Sequence, residues 1–230
     1  MKPIQKKIKN PIAKYNDFLS NDQKNGKDII NKNTISIIKG KAGSGKTHLA
    51  AISALEMQAI GKKNGGITKI IITRPTIFRK EDNIGFLPGD ADAKYYNWIR
   101  PVLDVANEID GAVITEKKLK DKIIEVMPLM FIQGMTFANS CVIVDEAENC
   151  TREQIVGIFT RLGKNSKLIF CGDFAQCLLP NKSMSGFPRL LELEGRVKNL
   201  ASVELSTNWR NEIIEELLEK YLYTDIAICL

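Results

Sequence analysis

An α/β fold, a mostly parallel sheet sandwiched by helices, is predicted by three features of this chain. Short apolar runs rich in β-branched residues, Ile35-Ser36-Ile37-Ile38, Thr68-Lys69-Ile70-Ile71-Ile72-Thr73, Cys141-Val142-Ile143-Val144 and Lys167-Leu168-Ile169-Phe170-Cys171, alternate with helix-like stretches, as strands buried on both faces do. Between the first run and the first long helical stretch lies Gly40-Lys41-Ala42-Gly43-Ser44-Gly45-Lys46-Thr47, which fits G-x-x-x-x-G-K-[ST] in a strand–loop–helix setting. The third run ends in Asp145-Glu146, where a buried strand would deliver carboxylates to a phosphate edge.

The spacing of the loop follows from phosphate chemistry. Gly40, Gly43 and Gly45 permit dihedrals closed to residues with a Cβ, so successive N–H groups turn inward as an anion nest at a helix N-terminus. Lys41, Ala42 and Ser44 complete the loop, Lys46 supplies a point charge for the β- and γ-phosphates, and the Thr47 hydroxyl is placed for Mg²⁺. Asp145 would hold the same ion and Glu146 would polarise an attacking water. An acidic helix N-terminus after a strand is the plainer account of Asp145-Glu146; downstream of such a loop the catalytic one is preferred.

Composition narrows the classes. At 230 residues the chain can form one large α/β domain or two small ones, and no run of about 18 apolar residues or signal-like N-terminus occurs. A cytoplasmic protein with no membrane segment is expected. Five cysteines without a C-x-x-C pair suit buried reduced thiols, and a single histidine, His48, excludes His-based metal sites and Ser-His-Asp triads. The net charge of +6 favours a polyanionic partner weakly, because the lysines are dispersed.

Taken in order, residues 1–33 read as a basic N-terminal extension, loosely ordered to about Ile12, with short helical stretches around 13–19 and up to Ile30. Residues 34–230 read as a single domain. A helix from Lys46 to Ile60 is ended by Gly61, and its His48 stands beside the nucleotide. The second strand ends in Thr73-Arg74-Pro75, which puts Arg74 at the functional edge of an open sheet or in a surface salt bridge.

A helix over about 91–109, interrupted near Pro101, carries Tyr95, Tyr96 and Trp98, either core residues or base-stacking ones. Ile123–Val126 is a further strand. Thr151 and Gln154 resemble a capping box opening a helix to about Leu162. Gly172-Asp173-Phe174-Ala175-Gln176 sets a glutamine at the sheet edge, able to sense a γ-phosphate. A helix around 187–194, a last strand over 203–205 and a helix over 211–223 complete the chain, and Arg210, beyond a strand end, suits stabilisation of a transferring phosphoryl group.

Together with Gly85-Phe86-Leu87-Pro88-Gly89-Asp90, Gln133-Gly134-Met135-Thr136-Phe137 and Val144-Asp145-Glu146-Ala147-Glu148-Asn149, these motifs resemble the PhoH-like proteins, compact relatives of the superfamily-one helicases. The resemblance runs from about Ile35 to Tyr223. It implies a RecA-like core that binds and hydrolyses ATP with Mg²⁺, Gln176 contacting the γ-phosphate and Leu205–Arg210 bringing an arginine to the nucleotide. It also implies that Arg74 and Thr136 lie near RNA or single-stranded DNA, and that a homo-oligomer, a ring among the open arrangements, completes the site. A glutamine that selects adenine in such families is missing from Pro11-Ile12-Ala13-Lys14-Tyr15, and Leu178 and Ala91-Asp92-Ala93 depart from more charged patterns. The function expected is nucleic-acid-coupled ATP hydrolysis, with a nucleotide-dependent switch acting on a protein partner as the alternative.

Overall fold

A computed structural model describes residues 17–61, 64–75, 91–132, 134–207, 209, 213 and 216, with only the backbone for 91–99. Most of the expected N-terminal extension, the Gly85–Asp90 element, Gln133, Arg210, Cys229, the helix over 211–223 and the side chains of Tyr95, Tyr96 and Trp98 lie outside this description.

The described chain runs α1 (Asn21–Lys32), β1 (Ile35–Gly40), α2 (Lys46–Ile60), β2 (Lys69–Thr73), α3 (Ala91–Asp110), α4 (Ala112–Lys120), β3 (Ile124–Val126), β4 (Ser140–Val144), α5 (Arg152–Phe159), β5 (Lys167–Gly172), α6 (Phe187–Leu191) and β6 (Leu200–Leu205). The six strands form one sheet in the order β3-β2-β4-β5-β1-β6, and every neighbouring pair is parallel. This is the expected α/β, RecA-like P-loop architecture, with the loop after β1 and the acidic pair after β4.

Alternation along the strands divides the core in two. Ile38, Ile70, Ile72, Ile143, Ile169 and Val203 face α1, α2 and α3, whereas Ile37, Ile71, Val142, Leu168 and Phe170 face α5, α6 and the connection through Phe137. Because both faces are covered, the strands need no polar side, which is why they read as near-continuous apolar runs. Four cysteines, Cys141, Cys150, Cys171 and Cys177, are free and buried, and burial pushes the Cys141 thiol up to about 12, so these thiols act as small apolar groups.

Three local expectations are corrected. The stretch before β1 is not a short helix that begins after Gly26 and gives way to a turn at Asn31-Lys32-Asn33 but one helix, α1, running from Asn21 to Lys32 and opened by a capping box in which the Ser20 side chain accepts from the Gln23 N–H and the Gln23 side chain from the Ser20 N–H. Gly26 sits inside it because a Cβ there would lie 2.7 Å from Leu49 Cδ2; close approach of α1 to α2 outweighs glycine's low helix propensity. Ile30 is fully buried in the same core as β1 and β6, so that core draws on residues upstream of position 34.

α3 is not interrupted at Pro101. The proline removes one i→i−4 bond, but packing of Val102, Leu103, Val105 and Ala106 in the core shared with α2 holds the turns that follow it. α5 stops at Phe159 rather than Leu162, with Thr160 as its C-cap, while its N-terminal capping box at Thr151 and Gln154 forms as expected. Among the described residues no helix is long and apolar enough to cross a membrane.

Candidate functional site

At the end of β1 the chain needs glycine twice. Gly40 has φ +156 and a Cβ on it would meet the Leu205 carbonyl at 2.6 Å; Gly45, at φ +82, is the left-handed N-cap of α2. Among the described residues no side chain caps that helix end, which leaves its first N–H groups available to an anion in the loop. The Lys46 ammonium donates to the carbonyls of Gly40 (2.7 Å) and Lys41 (3.1 Å), folding the lysine over the loop. Ser44, 1% exposed, carries a buried hydroxyl with no hydrogen-bond partner among the described residues.

β4 is hydrogen-bonded to β2 and β5, and its C-terminus opens at the same sheet end as the loop. The Thr47 hydroxyl donates to Asp145 Oδ1 at 2.8 Å, joining residues 98 apart in sequence. A cleft of about 210 Å³ is lined by Ala42, Gly43, Gly45, Lys46, Thr47, His48, Asp145, Glu146, Glu148, Cys171, Gly172, Asp173 and Gln176. Thus the loop, the acidic pair and Gln176, read separately along the chain, converge on one space.

The electrostatics of that space are unusual. Burial raises the Asp145 carboxyl above its ordinary range and Glu146 adds to this, while the Thr47 hydroxyl and Arg74 pull it down. A hydroxyl and a carboxylate in contact are the hard oxygen donors that Mg²⁺ takes alongside phosphate oxygens and water, and a divalent charge would relieve the crowding of acids. The residues present therefore fit a Mg²⁺ ion held by Thr47 and Asp145.

Glu146 occupies the left-handed region (φ 52, ψ 43), uncommon for a residue with a side chain, and its Oε1 lies 3.0 Å from the Arg74 guanidinium. Asp173 caps the turn Phe174–Gln176 by accepting from the Ala175 N–H at 3.1 Å, and its other oxygen accepts from Gln176 Nε2 at 2.6 Å, which orients the glutamine.

Glu148 links the two halves, because its Oε2 accepts the Asp173 N–H at 3.0 Å. Burial first, and then the Glu146 carboxylate beside it, push its carboxyl up to about 9. The folded chain therefore binds a proton that the unfolded chain releases near an ordinary glutamate value, so this group's stabilisation is full at low pH and lost as pH rises through the folded value. Glu148→Gln, which mimics the protonated acid, is expected to flatten the fall of the urea midpoint between mildly acid and mildly alkaline pH. A variant that followed the wild-type curve would mean that Glu148 is ionised throughout.

Beside the cleft lies a second cavity of about 680 Å³, lined by Phe18, Leu19, Gln23, Gly43, Gly45, His48, Glu108 and Trp209. His48 borders both spaces; burial lowers its pKa and Glu108 partly offsets this. Gln23 lines this cavity upstream of the loop: it is 3% exposed, and a Cβ on Gly45 would lie 2.7 Å from its Nε2. In the sequence, Ser20-x-x-Gln23 marks only the start of a helix.

The segment after β6 is strapped across this cavity. The Trp209 N–H donates to the Gly43 carbonyl at 3.2 Å, and Asp22 accepts the N–H groups of Ser206 (2.7 Å) and Thr207 (3.0 Å). Burial opposes ionisation of Asp22, but bonds from Ser20, Thr207, Ser206 and Gln23 outweigh it and hold the carboxyl well below the usual range. Thr136 is exposed and lines neither cavity, and Arg74 reaches the cleft through Glu146.

With the site assembled, the likeness to known proteins can be placed. A family model described as PhoH-like protein matches residues 17–222. The PhoH-like protein of Bacillus subtilis is 38% identical over 184 residues, covering 79% of this chain and 56% of its own. Protein PhoH of Escherichia coli K12 is 41% identical over 155 residues, covering 66% and 42%. The crystal structure of the Pif1 helicase from Candida albicans overlaps 88% of this chain and 43% of its own, with a TM-score of 0.44 and 14% identity. The chain thus spans about half the length of the PhoH relatives it matches. A match from residue 17 to 222 takes in both cavities and every sheet strand, and on that ground the chain belongs to the family of PhoH-like proteins.

Proposed function

We propose that this chain is a Mg²⁺-dependent ATPase whose turnover is coupled to RNA or single-stranded DNA, acting as a homo-oligomer. The observation that carries the hydrolytic part is the Thr47–Asp145 hydrogen bond, which ties the phosphate loop to the acidic pair and so sets Glu146 at the rim of the same cleft. In this reading the loop amides and Lys46 hold the β- and γ-phosphates. Mg²⁺, held by Thr47 and Asp145, would neutralise charge on those phosphates.

Glu146 takes a proton from the water that attacks the γ-phosphorus as the bond to the β–γ bridging oxygen breaks, giving ADP and phosphate. Gln176, anchored on Asp173, donates its remaining amide hydrogen toward the γ-phosphate. The larger cavity would take the nucleoside, with Gln23 reading the base edge and Trp209 covering it. Arg210, next in sequence to Trp209, is proposed to stabilise charge on the transferring group, in its own site or a neighbour's.

Support for a nucleic-acid partner is the net charge of +6 and the position of Arg74 at the C-terminal sheet edge, with Thr136 exposed between β3 and β4. Exposed Phe174, Leu178 and Met184 around the Gln176 turn favour the second reading, a nucleotide-dependent switch acting on a protein. Turnover of ATP and GTP, with and without oligouridylate and oligothymidylate, should show preference for ATP and stimulation by a single strand. Gln23→Ala should erode the preference, and a solution mass should exceed one chain. Turnover indifferent to every nucleic acid would favour the switch.

A further inference from the structure

Resting on the reading of Glu146 as the base, the geometry points to Arg74 as an exchange site: it holds the Glu146 carboxylate until a phosphodiester of a bound single strand takes its place, releasing Glu146 to the attacking water. The two residues stand at the C-termini of adjacent strands, β2 and β4, where the Asp145 N–H donates to the Thr73 carbonyl at 2.9 Å. Arg74 directly follows the last residue of β2 and Glu146 is the second residue after β4, and Pro75 biases Arg74 toward extended backbone, so a change of partner falls to the guanidinium side chain rather than the main chain.

A carboxylate oxygen engaged by a guanidinium is not free to turn or to accept a proton from water. The 3.0 Å pair is also easily exchanged, because its side chains are 38% and 34% exposed and part-exposed ion pairs are weak. The planar fork of arginine matches a phosphate at least as well as a carboxylate, and a phosphodiester arrives with its own negative charge to replace the one removed.

A single strand, rather than a compact anion, is favoured by what lies beside Arg74. β3 is the outer neighbour of β2, and the Met127 N–H donates to the Ile72 carbonyl at 3.0 Å. The turn that follows leaves Met130 and Phe131 exposed, at 63% and 57%. A cation at the end of one strand, with an exposed ring and a thioether in the turn after the neighbouring strand, suits phosphate and stacked base together.

Two measurements test this on the full chain. In steady-state turnover, Arg74→Gln is expected to raise the strand-free rate several-fold and to bring the ratio of oligouridylate-stimulated to basal rate close to one. A strand-free rate equal to or below that of the wild type overturns the proposal, with thermal melting confirming that the variant is folded. In nucleotide-free anisotropy with a labelled oligouridylate, Glu146→Gln frees Arg74 and should tighten binding several-fold, as the reciprocity of coupled sites requires. Unchanged affinity, or no binding by either protein, overturns it.

The binding arm needs no hydrolysis. A wild-type chain without ATP turnover, whose Glu146→Gln variant still binds the strand more tightly, would sink the ATPase reading and leave the exchange site standing. Ordinary turnover with an inert Arg74→Gln would do the reverse.

Discussion

Glu146→Gln is expected to slow ATP hydrolysis by about 10²–10⁴-fold, the range a positioned general base contributes, while leaving the triphosphate bound. The substitution keeps the volume of the side chain and removes only the charge and the proton-accepting oxygen. Neither the loop nor the Thr47–Asp145 bond depends on Glu146, so nucleotide affinity should stay within a few-fold of wild type. Single-turnover hydrolysis and equilibrium binding of a fluorescent ATP analogue separate the two effects. Near-wild-type turnover would remove Glu146 as the base and would move attention to Glu148, the other glutamate of the cleft.

Lys46→Ala should act on the other side of that division, weakening ATP binding before it slows chemistry. Losing a charge-assisted hydrogen bond costs about 1.5–3 kcal/mol, or roughly ten- to a hundredfold in Kd. Lys46 also donates to the Gly40 and Lys41 carbonyls, so part of the loss should appear as a looser loop even without nucleotide. Isothermal titration with ATP and Mg²⁺ measures the first effect, and amide exchange at the loop measures the second. An affinity equal to that of wild type would mean that the ammonium stays on the loop carbonyls when the triphosphate arrives.

How much of this was legible in advance varied with the kind of signal. The loop and the four central strands were readable because glycine spacing and apolar runs are local properties of a few consecutive residues. α4 escaped notice: its nine residues carry a weak apolar face, with Thr115 as the one buried residue and Val113 and Ile114 exposed, so there is no periodic stripe to read. α1 was misjudged because Gly26 and the Asn-rich flanks argue for a turn in isolation. Its neighbour Leu49, twenty-three residues away, decides otherwise. Pro101 was overvalued as a breaker for the same reason: propensity assigns a cost to one lost hydrogen bond and is blind to the core residues that compensate for it.

Gln23 shows the limit within the candidate site itself. Nothing in the sequence marks it as a lining residue of the larger cavity, because the helix that carries it is placed by packing on β6 and β1 rather than by chain distance. The Arg74–Glu146 pair is a stronger case. Each residue was singled out, one for a strand of nucleic acid and one for water, and no pattern in the chain joins them.

By itself, then, the order of residues settled which backbone segments become strands and which loop can wrap an anion, since both follow from side-chain shape and backbone freedom within a few neighbours. Tertiary structure alone decided which polar groups meet: Thr47 with Asp145, Arg74 with Glu146, Gln23 with the glycine loop. Those contacts depend on strand order, β2 and β5 flanking β4, and strand order is set by burying both faces of the sheet at once rather than by any local preference.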